Sequence, residues 1–120
     1  MRKYRSWGAL LVLLATTASL TQAVAPTREV LLELNLPNGG TPELRIVEGE
    51  TGTVQLPGVG RFGFVPRLRD SSNVVLVDVF DLNPTPHARL GQVEAIVGGE
   101  RVQSKTKPDF GVRVLRIITQ

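Results

Sequence analysis

Short runs in which apolar and polar residues alternate make up most of the chain after residue 25, and glycine, proline or asparagine separates the runs. This alternation is typical of β-strands with one buried face. It is clear over residues 30–36 and 62–68, whereas residues 74–80 are apolar on both faces, as expected of a strand in the middle of a sheet. No stretch keeps apolar residues at helical spacing for three turns. The pattern therefore predicts an all-β domain.

The number and spacing of the runs narrow the fold class further. About seven or eight strands at regular intervals predict a single small β-sandwich of the Ig-like or Greek-key type, with a small β-barrel as the alternative. Residues 98–100 have the composition of a hairpin turn, so we expect them to lead into a short paired strand around Val102.

Two runs are candidates for strands at the edge of a sheet. Pro66 has no N–H to donate, so its strand is expected to lie at an edge there or to be bulged. The last run, 110–118, places Val112 and Val114 on one face and Ile117 on the opposite face if it alternates regularly. An edge strand can bind a partner through backbone hydrogen bonds, and proline or arginine there can also prevent unwanted pairing.

The first 23 residues have the order of a signal peptide, with basic residues first, an apolar stretch next and small residues last. The apolar stretch, 7–20, is shorter than the ~20 residues that a membrane-spanning helix needs. We therefore expect cleavage after Ala23, with Ala25 as the competing site, and residues 24–120 as the β-sandwich domain. The predicted location is the periplasm or the exterior of the cell, with membrane attachment only if the segment is retained.

Removal of the predicted signal peptide changes the composition of the domain. The chain has 14 basic and 11 acidic residues, and three basic residues lie within 1–23, which leaves 11 of each. A neutral domain gives no reason to expect nucleic-acid binding. Trp7 and Tyr4 are removed as well, so all remaining aromatic residues are phenylalanine, which disfavours carbohydrate recognition. The chain has no cysteine, and arginine far outnumbers lysine, as in many proteins from GC-rich bacterial genomes.

No pattern in the chain predicts a catalytic, cofactor-binding or metal-binding residue, and we expect no cofactor. Zinc sites draw on several histidine or cysteine ligands, and His87 is the single histidine. Glu48 and Glu50 offer oxygen atoms but lack the spacing of a calcium loop, so ordinary turn roles are expected for them. The alternative class is a small secreted hydrolase or metal-dependent enzyme that uses His87 with Asp78 or Asp81.

A second alternative is an inhibitor of a secreted protease. Prolines would preorganise an exposed loop at 83–88 for that role. An inhibitor of this kind would present the loop to the protease without being cleaved in it.

Five basic residues near the end of the chain are the predicted partner contacts. Arg101, Lys105 and Lys107 lie in a polar loop, and Arg113 and Arg116 follow on the last strand. Such residues suit an acidic surface on another protein. The sequence thus favours a non-enzymatic protein-binding or accessory module of the bacterial cell envelope, whose partner is another envelope or secreted protein.

The order of the motifs also carries a resemblance. Gly49-Glu50, the alternating run 62–68, the run 75–79 and the segment from Val93 to Gly99-Glu100 resemble small exported bacterial β-sandwich domains of uncharacterised function. The resemblance covers most of the chain after the signal peptide and implies the fold, but it assigns no role to any residue.

Overall fold

The computed structural model describes residues 26–69 and 72–119, so the signal peptide predicted for residues 1–23 lies outside the described residues. The described part is all-β, as predicted, and within it no helix is long and apolar enough to cross a membrane. Its strands are β1 (Arg28–Asn35), β2 (Glu43–Val47), β3 (Gly52–Leu56), β4 (Gly60–Leu68), β5 (Val74–Asp81), β6 (Ala88–Ile96), β7 (Val102–Gln103) and β8 (Gly111–Thr119).

The strands form two separate four-stranded sheets, which confirms the predicted β-sandwich. One sheet has the order β2-β1-β8-β7 and the other the order β3-β4-β5-β6, and every pairing is antiparallel. We call the face of each sheet that points away from the other sheet its outer face. Within each sheet the strands that follow one another in sequence are paired, β1 also pairs with β8, and the chain passes to the other sheet after β2 and after β6. This order lacks the Greek-key connection that the sequence suggested.

The core lies between the inner faces of the two sheets and follows the alternation of the sequence. Phe62, Phe64 and Phe110 meet at its centre, with ring centroids 5.4 Å apart for Phe62 and Phe110 and 5.2 Å for Phe64 and Phe110. Tilted and edge-to-face rings of this kind add to the stabilisation that comes from burial. The other buried apolar residues of the core are Val30, Leu32, Leu34, Ile46, Val54, Leu56, Val75, Val77, Val79, Val93, Ala95, Val112 and Val114.

The segment after β6 crosses from one sheet to the other, so the hairpin predicted at 98–100 is wrong. β7 pairs with β8, through Val102 opposite Val112, and makes no ladder with β6. The turn is held against β8 instead, because the Gly98 N–H donates to the Val114 carbonyl oxygen at 2.8 Å. Since β7 covers only the first two residues of β8, most of β8 has a strand partner on one side only.

Pro66 lies beyond the part of β4 that pairs with β3, as its missing N–H predicts. Its carbonyl oxygen accepts a hydrogen bond from the Gly49 N–H at 2.8 Å. The Leu68 N–H, two residues further on, donates to Oε2 of Glu48 at 2.9 Å. The other carboxylate oxygen of Glu48 pairs with Arg28 of β1 at 2.6 Å. Glu48 is therefore a link between the two sheets rather than an unattached turn residue.

Two β-bulges break the regular alternation. In β8, Leu115 is an extra residue against β1, and the register shift returns Ile117 to the core face, opposite Val30. The regular alternation assumed for this strand, which put Ile117 on the other face, is therefore wrong. In β6, Leu90 is the extra residue against β5. A bulge places two residues of one strand opposite one residue of its partner, so side chains three positions apart come to the same face.

Candidate partner-binding surface

The outer face of the β2-β1-β8-β7 sheet brings together three of the five predicted contacts. Arg113 and Arg116 both lie on this face because the bulge at Leu115 separates them, and both are exposed. Arg101, just before β7, extends over the same face and is also exposed. The structure thus groups Arg113 and Arg116 by strand register and places Arg101 beside them, which the sequence spacing alone did not require.

Arg101 reaches this position because Gly111 has no side chain. A Cβ atom at Gly111 would lie 2.6 Å from Cδ of Arg101, so the arginine stem occupies the space that any other residue would fill. Nη1 of Arg101 donates to Oδ1 of Asn35 at 3.2 Å. Within the part of the chain that the structure describes, Arg101 makes no ion pair. Its charge therefore remains available to an external anion.

Arg101 and Arg113 line an open polar pocket of about 510 Å³ together with Gly98, Gly99 and Glu100. We call these five residues the arginine pocket. The Arg113 guanidinium is oriented toward it by one hydrogen bond, from Nε to the Gly99 carbonyl oxygen at 3.3 Å. Its one ion pair, with Glu33, spans 3.9 Å between Nη1 and Oε1 and is solvent-exposed, so it holds the guanidinium weakly.

The chemistry of the arginine pocket suits an oxyanion. Each guanidinium carries five N–H donors in a planar fork that matches two oxygen atoms of a carboxylate or phosphate. Arg101 and Arg113 each use one donor in a hydrogen bond within the described structure. The pocket can therefore accept an acidic group of a partner with several donors still free.

Lys105 and Lys107 lie outside the arginine pocket, exposed on the loop between β7 and β8. This loop is built around Asp109, whose Oδ1 accepts hydrogen bonds from the Lys105 N–H at 2.9 Å and from Oγ of Ser104 at 3.1 Å. These bonds, led by the one from the Lys105 backbone, hold the pKa of Asp109 below its ordinary value. Lys105 has a positive φ of 59°, which the backbone rarely adopts outside glycine and asparagine.

The structure does not bring together the residues that the alternative hypothesis of an enzyme requires. Asp78 is surrounded by Arg67, Arg89 and Gln92, and Asp81 accepts hydrogen bonds from Asn83. His87 is exposed in the loop after β5, and no hydrogen bond joins it to either aspartate in the described structure. Residues 26–69 and 72–119 also contain no group of three histidine, cysteine or acidic residues close enough to hold a metal ion.

The Asp78 cluster is the feature that sequence reasoning missed. Asp78 is the one buried charged residue of the described structure, and four hydrogen bonds from Arg67, Arg89 and Gln92 surround it. The signal in the sequence is a single carboxylate within the apolar run 74–80. Its partners could not be read from spacing, because they lie on the two neighbouring strands.

Comparison with known proteins gave no match among protein-family models, curated proteins or solved structures. The resemblance to small exported bacterial β-sandwich domains therefore stays a prediction.

Proposed function

We propose that this chain is an exported, non-enzymatic β-sandwich module that binds another protein of the bacterial cell envelope or of the secreted fraction. The observation that carries the proposal is the arginine pocket, where Arg101 and Arg113 converge beside the Gly98-Gly99 turn. The order of residues 1–23 supports export. The occupant of the pocket is an acidic side chain or a terminal carboxylate of the partner.

The solvent exposure of the arginine pocket favours specific recognition of a partner over high affinity for it. Arg113 has a side chain that is 46% exposed, so its contact with a partner carboxylate is partly screened by water and salt. Exposed charges contribute more to the rate and specificity of association than to affinity. We therefore expect binding that weakens markedly as the salt concentration rises.

A site-specific photo-crosslinking experiment tests the proposal. A photoreactive residue replaces exposed Glu100 in the exported protein, and crosslinked products are collected from the native envelope fraction. The proposal expects a defined protein product that disappears in the Arg101→Ala/Arg113→Ala double variant. Edman or mass analysis of the same purified protein checks whether it begins at residue 24.

The matched control is Arg45→Ala. Arg45 of β2 is exposed on the same outer face, but it lies away from the pocket and pairs with Glu29 of β1. The product should persist in this variant. Equal loss in the control, or a product unchanged in the double variant, would show that the arginine pocket is not the contact. A purified chain that retains Trp7 would show that export does not remove the leader.

A further inference from the structure

A second polar cluster lies on the opposite side of the sandwich, on the outer face of the β3-β4-β5-β6 sheet. Asp78 of β5 points to this outer face, since it alternates with the core residues Val77 and Val79, yet it is only 6% exposed. Two arginines and a glutamine from the flanking strands cover it. Burial of a carboxylate is costly unless hydrogen bonds compensate for the lost water.

The Asp78 carboxylate accepts four hydrogen bonds from its neighbours. Oδ2 accepts from Nη1 of Arg67 at 3.0 Å, and Oδ1 accepts from Nε and Nη2 of Arg89 at 3.1 and 2.9 Å. Oδ1 also accepts from Nε2 of Gln92 at 3.0 Å. Three of the four bonds fall on Oδ1 and one on Oδ2, so both carboxylate oxygens are compensated for the water that burial removes.

The two guanidinium groups keep several N–H donors unused. Arg67 uses one of its five N–H donors on Asp78, and Arg89 uses two. Their side chains are 58% and 53% exposed, so the remaining donors face solvent. Two guanidinium charges against one carboxylate also leave one positive charge in excess. Asp78 therefore orients a pair of arginines whose remaining donors can bind another group.

The bulge in β6 creates this arrangement. Phe80 lies opposite Arg89 and Asp78 lies opposite Gln92, with Leu90 as the extra residue between them. In a regular strand, side chains three positions apart would point to opposite faces. Bulges often re-aim side chains next to functional sites, and here the bulge directs both Arg89 and Gln92 at the same buried carboxylate.

Apolar side chains surround the arginine pair on the same face. Val65 lies opposite Asp78 and is buried, and Leu76 and Phe80 flank Asp78 along β5 with their side chains half-buried. A binding site with a charged centre and an apolar surround suits a protein segment better than a free ion. The single excess charge also matches a carboxylate, whereas a phosphate monoester carries about −1.5 to −2 at neutral pH.

We infer that Arg67 and Arg89, oriented by Asp78 and Gln92, form a binding site for the carboxylate of a protein segment that places an apolar side chain beside it. Preorganisation supplies the affinity: the arginines are already fixed, so little side-chain entropy is lost on binding. The site lies on the opposite outer face from the arginine pocket and does not depend on it.

A titration followed by NMR tests the site. The Nε–Hε signals of the arginines are recorded in the exported protein while N-acetyl-leucinate is added, with acetate, inorganic phosphate and chloride as separate arms at equal ionic strength. The inference expects saturable shifts of the Arg67 and Arg89 signals that are strongest with N-acetyl-leucinate. Arg67→Gln and Arg89→Gln should each weaken binding at least tenfold, whereas Arg69→Gln should not, because Arg69 is paired with Glu94.

The Asp78→Asn variant separates orientation from simple attraction. It makes the surface more positive but loosens the hold on the arginines, so the inference expects weaker binding of N-acetyl-leucinate. Tighter binding to Asp78→Asn would overturn it, as would equal shifts in all arms or preferential saturation by phosphate. Circular dichroism of each variant verifies the fold, and the two arginine variants decide the matter if Asp78→Asn does not fold.

Discussion

Removal of the Glu48 carboxylate is the sharpest test of how the two sheets are held together. This side chain accepts the Leu68 N–H of β4 and pairs with the Arg28 guanidinium of β1. Backbone bonds nearby, from Glu48 to the Arg28 carbonyl and from Gly49 to the Pro66 carbonyl, do not involve the side chain and should persist in a variant. The perturbation is therefore confined to the carboxylate.

The magnitude follows from the two interactions. A hydrogen bond to a charged group contributes about 1.5–3 kcal/mol when partly buried. The ion pair adds less than ~1 kcal/mol, because the Arg28 side chain is 44% exposed. We expect Glu48→Ala to reduce the free energy of unfolding by about 2 kcal/mol, which lowers Tm by roughly 8–16 °C in a domain of this size. Glu48→Gln, which keeps an acceptor for Leu68, should cost about half as much.

Urea denaturation followed by circular dichroism provides the measurement, and Arg28→Ala is the control that removes the ion pair alone. The control should lose less than ~1 kcal/mol. A Glu48→Ala variant as stable as the wild type would refute the assignment of Glu48 as an inter-sheet link. A loss in Arg28→Ala equal to that in Glu48→Ala would show that the ion pair, and not the Leu68 bond, provides the stability.

Three further outcomes are expected. Phe110→Ala should lower the free energy of unfolding, measured by urea denaturation, by about 3–5 kcal/mol. The reason is that the ring is fully buried against Phe62 and Phe64. A loss below ~1 kcal/mol would contradict this packing. Since hydrogen bonds lower the pKa of folded Asp109, its contribution to stability is present above the ordinary value of 3.8 and disappears as the pH falls through the folded value. Asp109→Asn should therefore be less stable than wild type at neutral pH, and the difference should vanish in acid melts; a pH-independent difference would contradict it. If residues 1–23 are removed as proposed, the purified protein should show almost no tryptophan fluorescence, because the single tryptophan, Trp7, is removed with them; strong emission would contradict the cleavage.

The fold class and the core could be predicted from the sequence because both depend on local alternation. Val30, Leu32 and Leu34 are fully buried, as are Val75, Val77 and Val79, and each set alternates with residues of the opposite face. When one face of a strand is buried, apolar residues recur at every second position. This pattern can be recognised without knowing which strand is the partner. The strand order could not be obtained in this way, because the pairing of β1 with β8 joins the two ends of the domain.

The structure divides the residues predicted as partner contacts between two places. Arg101 and Arg113 share a pocket, but Lys105 and Lys107 lie on a separate loop. The prediction grouped Arg101 with the two lysines because they are close in sequence. In the structure, the crossing from β6 to β7 places Arg101 over Gly111 of β8. Nothing in the spacing of these residues signals that crossing, since β7 is two residues long and pairs only with β8.

The sequence by itself determined that this chain forms strands, which residues make up most of the core and which segment has the order of an export signal. The tertiary structure decided which polar side chains share a face. One extra residue in β6 sets Arg89 beside Gln92, and one extra residue in β8 sets Arg113 beside Arg116. A bulge is defined only against the neighbouring strand, so alternation along one strand cannot reveal it. The Arg67 and Arg89 site depends on such a shift of register, whereas the arginine pocket depends on the crossing from β6 to β7.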